Sequence, residues 1–337
     1  MKISTSITGI EYQHLVDHLK TLEAAGFSSV STQENRLNPF LPLSIAAAGS
    51  QGLELKTSVA IAFARSPMVT AQIAWELARA SEGRFILGLG SQVKSHIERR
   101  FSQPWSAPAS RMREVIQAIR AIWHSWSTGD RLDFSSEHFS FNLMTPNFTP
   151  PRLQGNPPPI HIAAVGPAML RLAARECDGV MLHSFCSRHY LTETILPLIE
   201  ETLQQAGKHR NNFEISGGGF VITGSNDEEV SKQFEWVRSR IAFYGSTPAY
   251  WPVLEASGQT GLGQELLALS KIQSWDEMTR LIDDDLVYEF AAVGNHNSIA
   301  EAVADYFGGL TDSIAIDPNT SADALSAIRQ IPTGADQ

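Results

Sequence analysis

Cysteine is scarce: Cys177 and Cys186 are the only two in 337 residues. One pair, nine positions apart, makes neither a CxxC zinc knuckle nor a disulfide framework, and a chain of this length buries enough surface to fold without staples. That usage points to a reducing compartment, so the cytoplasm is the expected location. Long apolar runs are missing too. No segment approaches the ~18 uninterrupted apolar residues of a membrane span, and MKISTSITGIEYQH has no apolar stretch behind its single Lys. Positive charge is in deficit: 26 Lys plus Arg against 36 Asp plus Glu leave a net charge of −10, the wrong sign for phosphate backbones or anionic lipid. Neither nucleic acid nor membrane is expected as a partner. The chain also lacks a GxSxG elbow, a Walker loop and an EF-hand loop. His14 and His18 stand four apart, but the run is His-Leu-Val-Asp-His rather than HExxH, so no metal site is expected.

What is present is alternation. Short β-type runs begin near Lys2, Phe27, Leu53, Arg84, Pro159, Val180, Phe213 and Asp312, eight in all, with amphipathic runs between them. Leu15, Leu19 and Leu22 make one helical stripe that stops at Gly26, a natural left-handed residue. Ser66 and Pro67 read as cap and first position of a helix whose inner face is Val69, Ile73 and Leu77. Met112, Val115, Ile119, Ile122 and Trp126 form a third stripe; Leu170, Ala174 and Cys177 form a fourth after Pro167. Two spacings are long. The first, after the fourth strand, holds a hairpin over residues 132 to 145; the second, residues 225 to 311 after the seventh strand, reads as helices.

Eight βα units with insertions after strands four and seven predict a single (β/α)8 barrel over residues 1–328, with 329–337 as a loose tail. A doubly wound sheet would need GxGxxG at its first turn, and SITGIEY has one Gly. Function in such a barrel gathers at the carboxyl ends of the strands. There the sequence puts Gln33, Glu34 and Asn38 after strand two, with Glu34 a candidate base or orienting group. After strand four come Gly88 and Gly90, then Lys94, His96, Arg99 and Arg100. After strand five, Gly166 and Pro167 open a helix whose free N–H groups suit a phosphate. His183 ends strand six as the second catalytic candidate, and Phe40, Trp105, Tyr244, Tyr250 and Trp251 are candidates for an apolar wall.

The run LELKTSVAIAFARSPMVTAQIAWELARASEGRFILGLGSQVKSHIERRF, residues 53 to 101, resembles the core of luciferase-like flavin and deazaflavin oxidoreductases. PPIHIAAVGPAMLRLAARECDGVMLHSF, residues 158 to 185, resembles their phosphate-binding strand and helix, and FAAVGNHNSIAEAVADYF their terminal segment. NPFLPLSIAAAG and PASRMREVIQAIRAIW are most similar to the coenzyme F420-dependent subgroup.

The resemblance implies a barrel enzyme, usually a homodimer, that binds a flavin or deazaflavin ring at the carboxyl ends and acts on a small-molecule substrate. It places Thr57, Ser58 and Val59 against one face of the ring, with a non-prolyl cis bond between Ser58 and Val59. It sets Gly88, Gly90 and Ser91 beside the cofactor, and Val165, Gly166, Pro167 and Ala168 at its phosphate. Lys94, Arg99 and Arg100 would face the poly-glutamate tail of F420. Two departures stand out: Thr32-Gln33-Glu34 replaces the Asp-His pair of the F420-dependent sugar-phosphate dehydrogenases, and Val93 replaces their Glu after the strand-four glycines. Sugar-phosphate oxidation is therefore not expected. The leading expectation is hydride transfer with F420. An FMN-dependent two-component monooxygenase and a non-catalytic flavin-binding protein are the alternatives.

Overall fold

The computed structural model describes residues 1–336. Its main sheet contains eight parallel strands: β1 (Lys2–Ser6), β2 (Ser29–Thr32), β3 (Glu54–Thr57), β4 (Phe85–Gly90), β5 (Ile160–Ala164), β6 (Gly179–Leu182), β7 (Glu214–Gly217) and β8 (Ser313–Ala315). The sheet closes on itself, because β3 pairs with β4 (Lys56 opposite Ile86) and β8 pairs with both β1 and β7. A short strand, Ala60–Ile61, carries β3 onward after a break and also lies on β4, with Ile61 opposite Gly90. The expected parallel barrel is the observed one.

The connecting helices form for the reasons their sequences give. In α1 (Tyr12–Ala25), Leu15, Leu19 and Leu22 are buried and Gly26 ends the helix at φ 86°. Helix α2 (Leu41–Gly49) follows β2. In α3 (Pro67–Ala80), Ser66 caps as predicted, its hydroxyl accepting from Met68 N–H at 3.2 Å. The buried face of α3 is different from the predicted one. Thr70, Ala71, Ala74, Trp75, Leu77 and Ala78 face inward, while Val69 is 44% exposed. Trp75 sets this rotation: its ring packs edge-on to Trp126 at 5.3 Å, and its indole N–H reaches Pro151 O at 3.0 Å. Helices α4 (Lys94–Arg99), α5 (Pro108–Thr128) and α6 (Pro167–Glu176) complete the elements used below, and the predicted stripes of α5 and α6 are buried.

Both insertions lie where expected. The first contains an antiparallel hairpin, Phe134–Ser135 against Ser140–Phe141. The second contains helices, the longest being Asp227–Gly245, but it also contributes a strand, Ala291–Val293, that pairs in parallel with Phe220–Ile222. The single strand expected from Phe213 onward is thus two. It breaks at Gly217 and Gly218, with φ of 83° and 99°, conformations that favour glycine.

The C-terminal stretch expected to be loose is tied down over its described residues. The Met1 ammonium donates to Arg329 O and Ile331 O, Gly309 N–H reaches Pro332 O, and Ala335 N–H reaches Asp312. Ile331 is buried.

Polar side chains fill the amino-terminal end of the barrel lumen, which the sequence pattern did not reveal. Lys2 on β1 contacts Glu54 on β3 at 2.9 Å and Glu214 on β7 at 3.1 Å; Lys56 on β3 lies 3.7 Å from Glu214. These strands are not neighbours, so the contacts cross the lumen. Among the described residues, no helix is long and apolar enough to cross a membrane.

Candidate active site at the carboxyl end of the barrel

The third strand reaches the mouth through a dense local network. Thr57 Oγ1 bridges to β4, donating to Gly88 O at 2.7 Å and lying 2.9 Å from Gly88 N. Ser58 N–H donates to Thr32 O at 2.7 Å, and Val59 O accepts from Glu34 N–H at 3.2 Å. The Ser58–Val59 peptide is cis, and both side chains are half-buried at the rim. Glu34 lies within this network. Its carboxylate accepts from Ile61 N–H at 2.6 Å and from Arg65 Nη1 at 3.0 Å, with Arg65 Nη2 on its other oxygen. Both oxygens are engaged, and the side chain is 8% exposed.

Glycine on β4 is required by close approach. A Cβ at Gly88 would stand 1.8 Å from Thr57 O and 2.7 Å from Met181 Sδ, so Gly88 serves the barrel's own packing. A Cβ at Gly90 would stand 2.5 Å from Val59 Cγ2 and 3.9 Å from Ala163 Cβ. Val59, Gly90 and Ala163 therefore adjoin across three strands, and Val165 follows two residues on. Ser91 is half-buried and its hydroxyl donates only to Gln92 O, at 3.2 Å.

Helix α6 opens directly after this arc. Gly166 is its cap residue in extended conformation, and no side chain caps the helix. Pro167 has no N–H to offer, Met169 and Leu170 N–H turn back to Gly166 O, and no atom lies within 4 Å of where a Gly166 Cβ would stand. Pro167 and Ala168 are exposed; Val165 is half-buried, and its carbonyl accepts from Tyr190 Oη at 3.3 Å. An uncapped helix start with open space in front suits a phosphate. The basic residues of the α4 rim are exposed: Lys94 lies 3.8 Å from Glu98, and Arg100 donates to Asn35 O.

His183 stands just past β6. Its Nδ1 accepts from Phe185 N–H at 2.9 Å, which fixes the ring as the tautomer protonated on Nε2. Tyr244 meets the ring edge-on at 4.6 Å and Tyr250 lies against it at 5.1 Å. Burial pushes its pKa down to about 4, so it is neutral at neutral pH. Of the five aromatic candidates, Tyr244 and Tyr250 converge here. Phe40 is buried under Arg65, Trp105 packs on Phe63, and Trp251 is bonded to Gly245 O. Glu34 and His183, the two catalytic candidates, make no contact with each other.

Arg65 carried no signal in the sequence, because its partner is 31 positions away. Phe185 and Tyr306 were also missed. Tyr306 Oη bonds Cys186 O at 3.0 Å and so fixes the segment behind His183.

Residues 2–313 match the luciferase-like monooxygenase family. The chain belongs to this family. Its luciferase-like relatives include a protein of unassigned function from Mycobacterium tuberculosis, 43% identical over 314 residues, covering 93% of this chain and 92% of the relative. Among solved structures, the coenzyme F420-dependent tetrahydromethanopterin reductase of Methanopyrus kandleri superposes with a TM-score of 0.76 at 18% identity, covering 98% of each chain. The oxygenating constituent of 3,6-diketocamphane monooxygenase from Pseudomonas putida, in complex with FMN, superposes with a TM-score of 0.67 at 15% identity, covering 99% of this chain and 98% of that one. Solved structures of this fold thus include both a coenzyme F420-dependent reductase and a monooxygenase in complex with FMN.

Proposed function

We propose that the protein is an oxidoreductase that passes a hydride between coenzyme F420 and a small organic substrate at the carboxyl end of the barrel. A bound deazaflavin supplies the hydride chemistry, and the protein supplies binding and orientation. The observation that carries this reading is the continuous arc of Val59, Gly90 and Ala163 leading to the uncapped start of α6. In this reading Thr57, Ser58 and Val59 back the ring, with Gly90 and Ser91 along the side of the cofactor and Gly88 packed beneath them against Thr57 and Met181. Val165, Gly166, Pro167 and Ala168 hold its phosphate at the positive end of the α6 dipole. Lys94, Arg99 and Arg100 meet the carboxylates of its tail as charge-assisted donors.

Glu34 acts in this reading by position rather than as a base, because Ile61 N–H and Arg65 occupy its oxygens. His183 keeps an unspent Nε2–H that this reading assigns to the substrate. The protein works in the cytoplasm as a homodimer. Support for a covered face comes from α3, where Val69 is 44% exposed, and from Phe148, 69% exposed, across a groove from Gln72. Light scattering on the purified protein measures this directly.

FMN is the second reading, favoured by the structural likeness to a monooxygenase in complex with FMN. Absorbance titrations with each cofactor separate the two: F420 binds and FMN does not under the leading proposal. Micromolar binding of FMN with no binding of F420 overturns it.

A further inference from the structure

His183, Tyr244 and Tyr250 form a cluster of hydrogen-bond donors with no acceptor of their own. The rings touch in all three pairs, with Tyr244 and Tyr250 6.1 Å apart. Phe185 closes the cluster from behind, 5.3 Å from Tyr250 and 4.8 Å from Phe290. Among the described residues, neither His183 Nε2 nor either phenol oxygen has a hydrogen-bond partner, and none of the three is a fully buried orphan. Three polar atoms therefore open onto reachable space from an apolar wall.

The cluster is tied to the redox end of the barrel through β6. Met181 reaches the position where a Gly88 Cβ would stand, beside Thr57 O, and His183 follows two residues on along the same strand direction. Tyr244 and Tyr250 come from the second insertion, on the Asp227–Gly245 helix and the turn after it.

We infer that His183, Tyr244 and Tyr250 bind the oxygen of a neutral carbonyl substrate, or of the corresponding secondary alcohol, and stabilise the negative charge that builds on it during hydride transfer. This assignment rests on the oxidoreductase reading above. The electrostatics agree with it. His183 is neutral, and burial, with Tyr244 beside it, pushes the Tyr250 hydroxyl up to about 12, so both keep their protons at neutral pH. Neutral donors gathered in one cluster favour an oxygen that gains charge and do not attract a ground-state carboxylate or phosphate as a cationic site would. Arg240 sits 5.7 Å from the centre of the Tyr244 ring, and its Nε is buried without a partner.

In the reducing direction the carbonyl carbon gains a hydride with its two electrons, the C=O π pair moves onto oxygen, and the oxygen takes a proton from water. The two electrons come from a reduced flavin-type cofactor, which is oxidised by the loss of that hydride. The three donors hold the oxygen throughout; none needs to give up its proton permanently.

The test uses acetophenone as probe and the full-length protein without cofactor. Its carbonyl stretch, read by isotope-edited infrared difference spectroscopy, is expected to fall on binding below its frequency in hexane. In Tyr250→Phe, Tyr244→Phe and His183→Phe it moves back toward the hexane value, with affinity weakened about three- to tenfold for each lost bond. His183→Gln, which keeps an N–H donor, restores part of the shift. Tyr250→Phe removes one oxygen from a half-buried ring and carries the test if the histidine variants do not fold. No acetophenone binding, an unshifted carbonyl, or the same shift in wild type and all variants overturns the assignment. Parallel titrations with F420 and FMN keep the two levels apart: cofactor binding with no carbonyl shift rejects the oxygen site alone, and binding of neither cofactor rejects the oxidoreductase reading beneath it.

Discussion

Glu34 and Arg65 bracket the Ile61 peptide unit. Glu34 Oε2 accepts its N–H at 2.6 Å, and Arg65 Nη1 donates to its carbonyl at 3.1 Å while also holding Glu34 at 3.0 Å. The loop after β2 is thereby locked onto the segment after β3, with the Glu34 side chain only 8% exposed. We predict that Glu34→Ala costs about 3 kcal/mol, because it leaves the Arg65 charge buried without its partner. Glu34→Gln keeps an acceptor for Ile61 N–H and costs less. Urea unfolding measures both. If Glu34→Gln instead leaves stability intact and removes one limb of the pH–rate profile, Glu34 is a base after all.

Much of this architecture is readable from local pattern. Leu15, Leu19 and Leu22 with Gly26 define α1, and Ser66–Pro67 defines the start of α3, because caps and stripes are short-range signals. What failed to show depends on distant partners. Lys56, His161 and Glu214 look like surface residues in sequence, yet strands far apart in the chain bring them together inside the barrel. Val69 reads as core in a periodic count, but Trp75 packs on Trp126 and turns α3. The cis bond after Ser58 carries no pattern signal; the likeness to known barrels suggested it. His183 stands out in the sequence only by its place at the end of a strand, and its partners Tyr244 and Tyr250 only as part of an unusually aromatic stretch.

The glycines at the mouth separate packing from binding. We predict that Gly88→Ala severely destabilises the protein, since its Cβ would stand 1.8 Å from Thr57 O, a backbone atom held by its own strand. Overpacking typically costs about 1–3 kcal/mol, and a backbone clash of this depth belongs at or above the top of that range. Gly166→Ala meets open space and has no positive φ, so thermal unfolding stays within about 1 kcal/mol of wild type. Under the proposed function Gly166→Ala weakens cofactor binding. Equal stability losses in the two variants reject the distinction.

The C-terminal segment is structural. Asp312 accepts from Arg210 Nη2 at 2.9 Å, Ile215 N–H at 2.8 Å and Ala335 N–H at 3.0 Å, and the Met1 ammonium caps Ile331 O at 2.7 Å. Ending the chain after Gln330 removes the buried Ile331 side chain and uncovers the Met1 charge. Burial of an Ile contributes about 2 kcal/mol, so a melting point several degrees lower is expected by calorimetry. An unchanged melting point shows that these contacts contribute nothing.

The lumen network makes stability depend on pH in a defined window. His161 is 2% exposed, its Nδ1 has no partner, and burial drives its pKa from 6.5 down to about 4, Glu214 acting weakly against this. Glu214 is held down at about 2: desolvation alone would raise it, but the Lys56, His161 and Lys2 charges and the Ser216 hydroxyl outweigh that cost. Between pH 6.5 and 4 the unfolded chain binds protons on His161, and on His183 at the barrel mouth, that the fold refuses, so stability is complete above 6.5 and falls as pH drops toward 4. For His161 the loss approaches about 3 kcal/mol at the acid end. Glu214 adds its own loss only below its ordinary value of 4.5, as protons compete for a carboxylate the fold keeps ionised. Urea midpoints are therefore expected to decline from pH 7 to pH 4.5, and Glu214 carries the decline further down as the histidine contribution runs out near pH 4. His161→Gln, which cannot titrate, flattens the upper part of this decline whatever it does to absolute stability. A midpoint constant from pH 7 to 4.5 in the wild type shows that His161 takes up protons as readily inside the barrel as outside it.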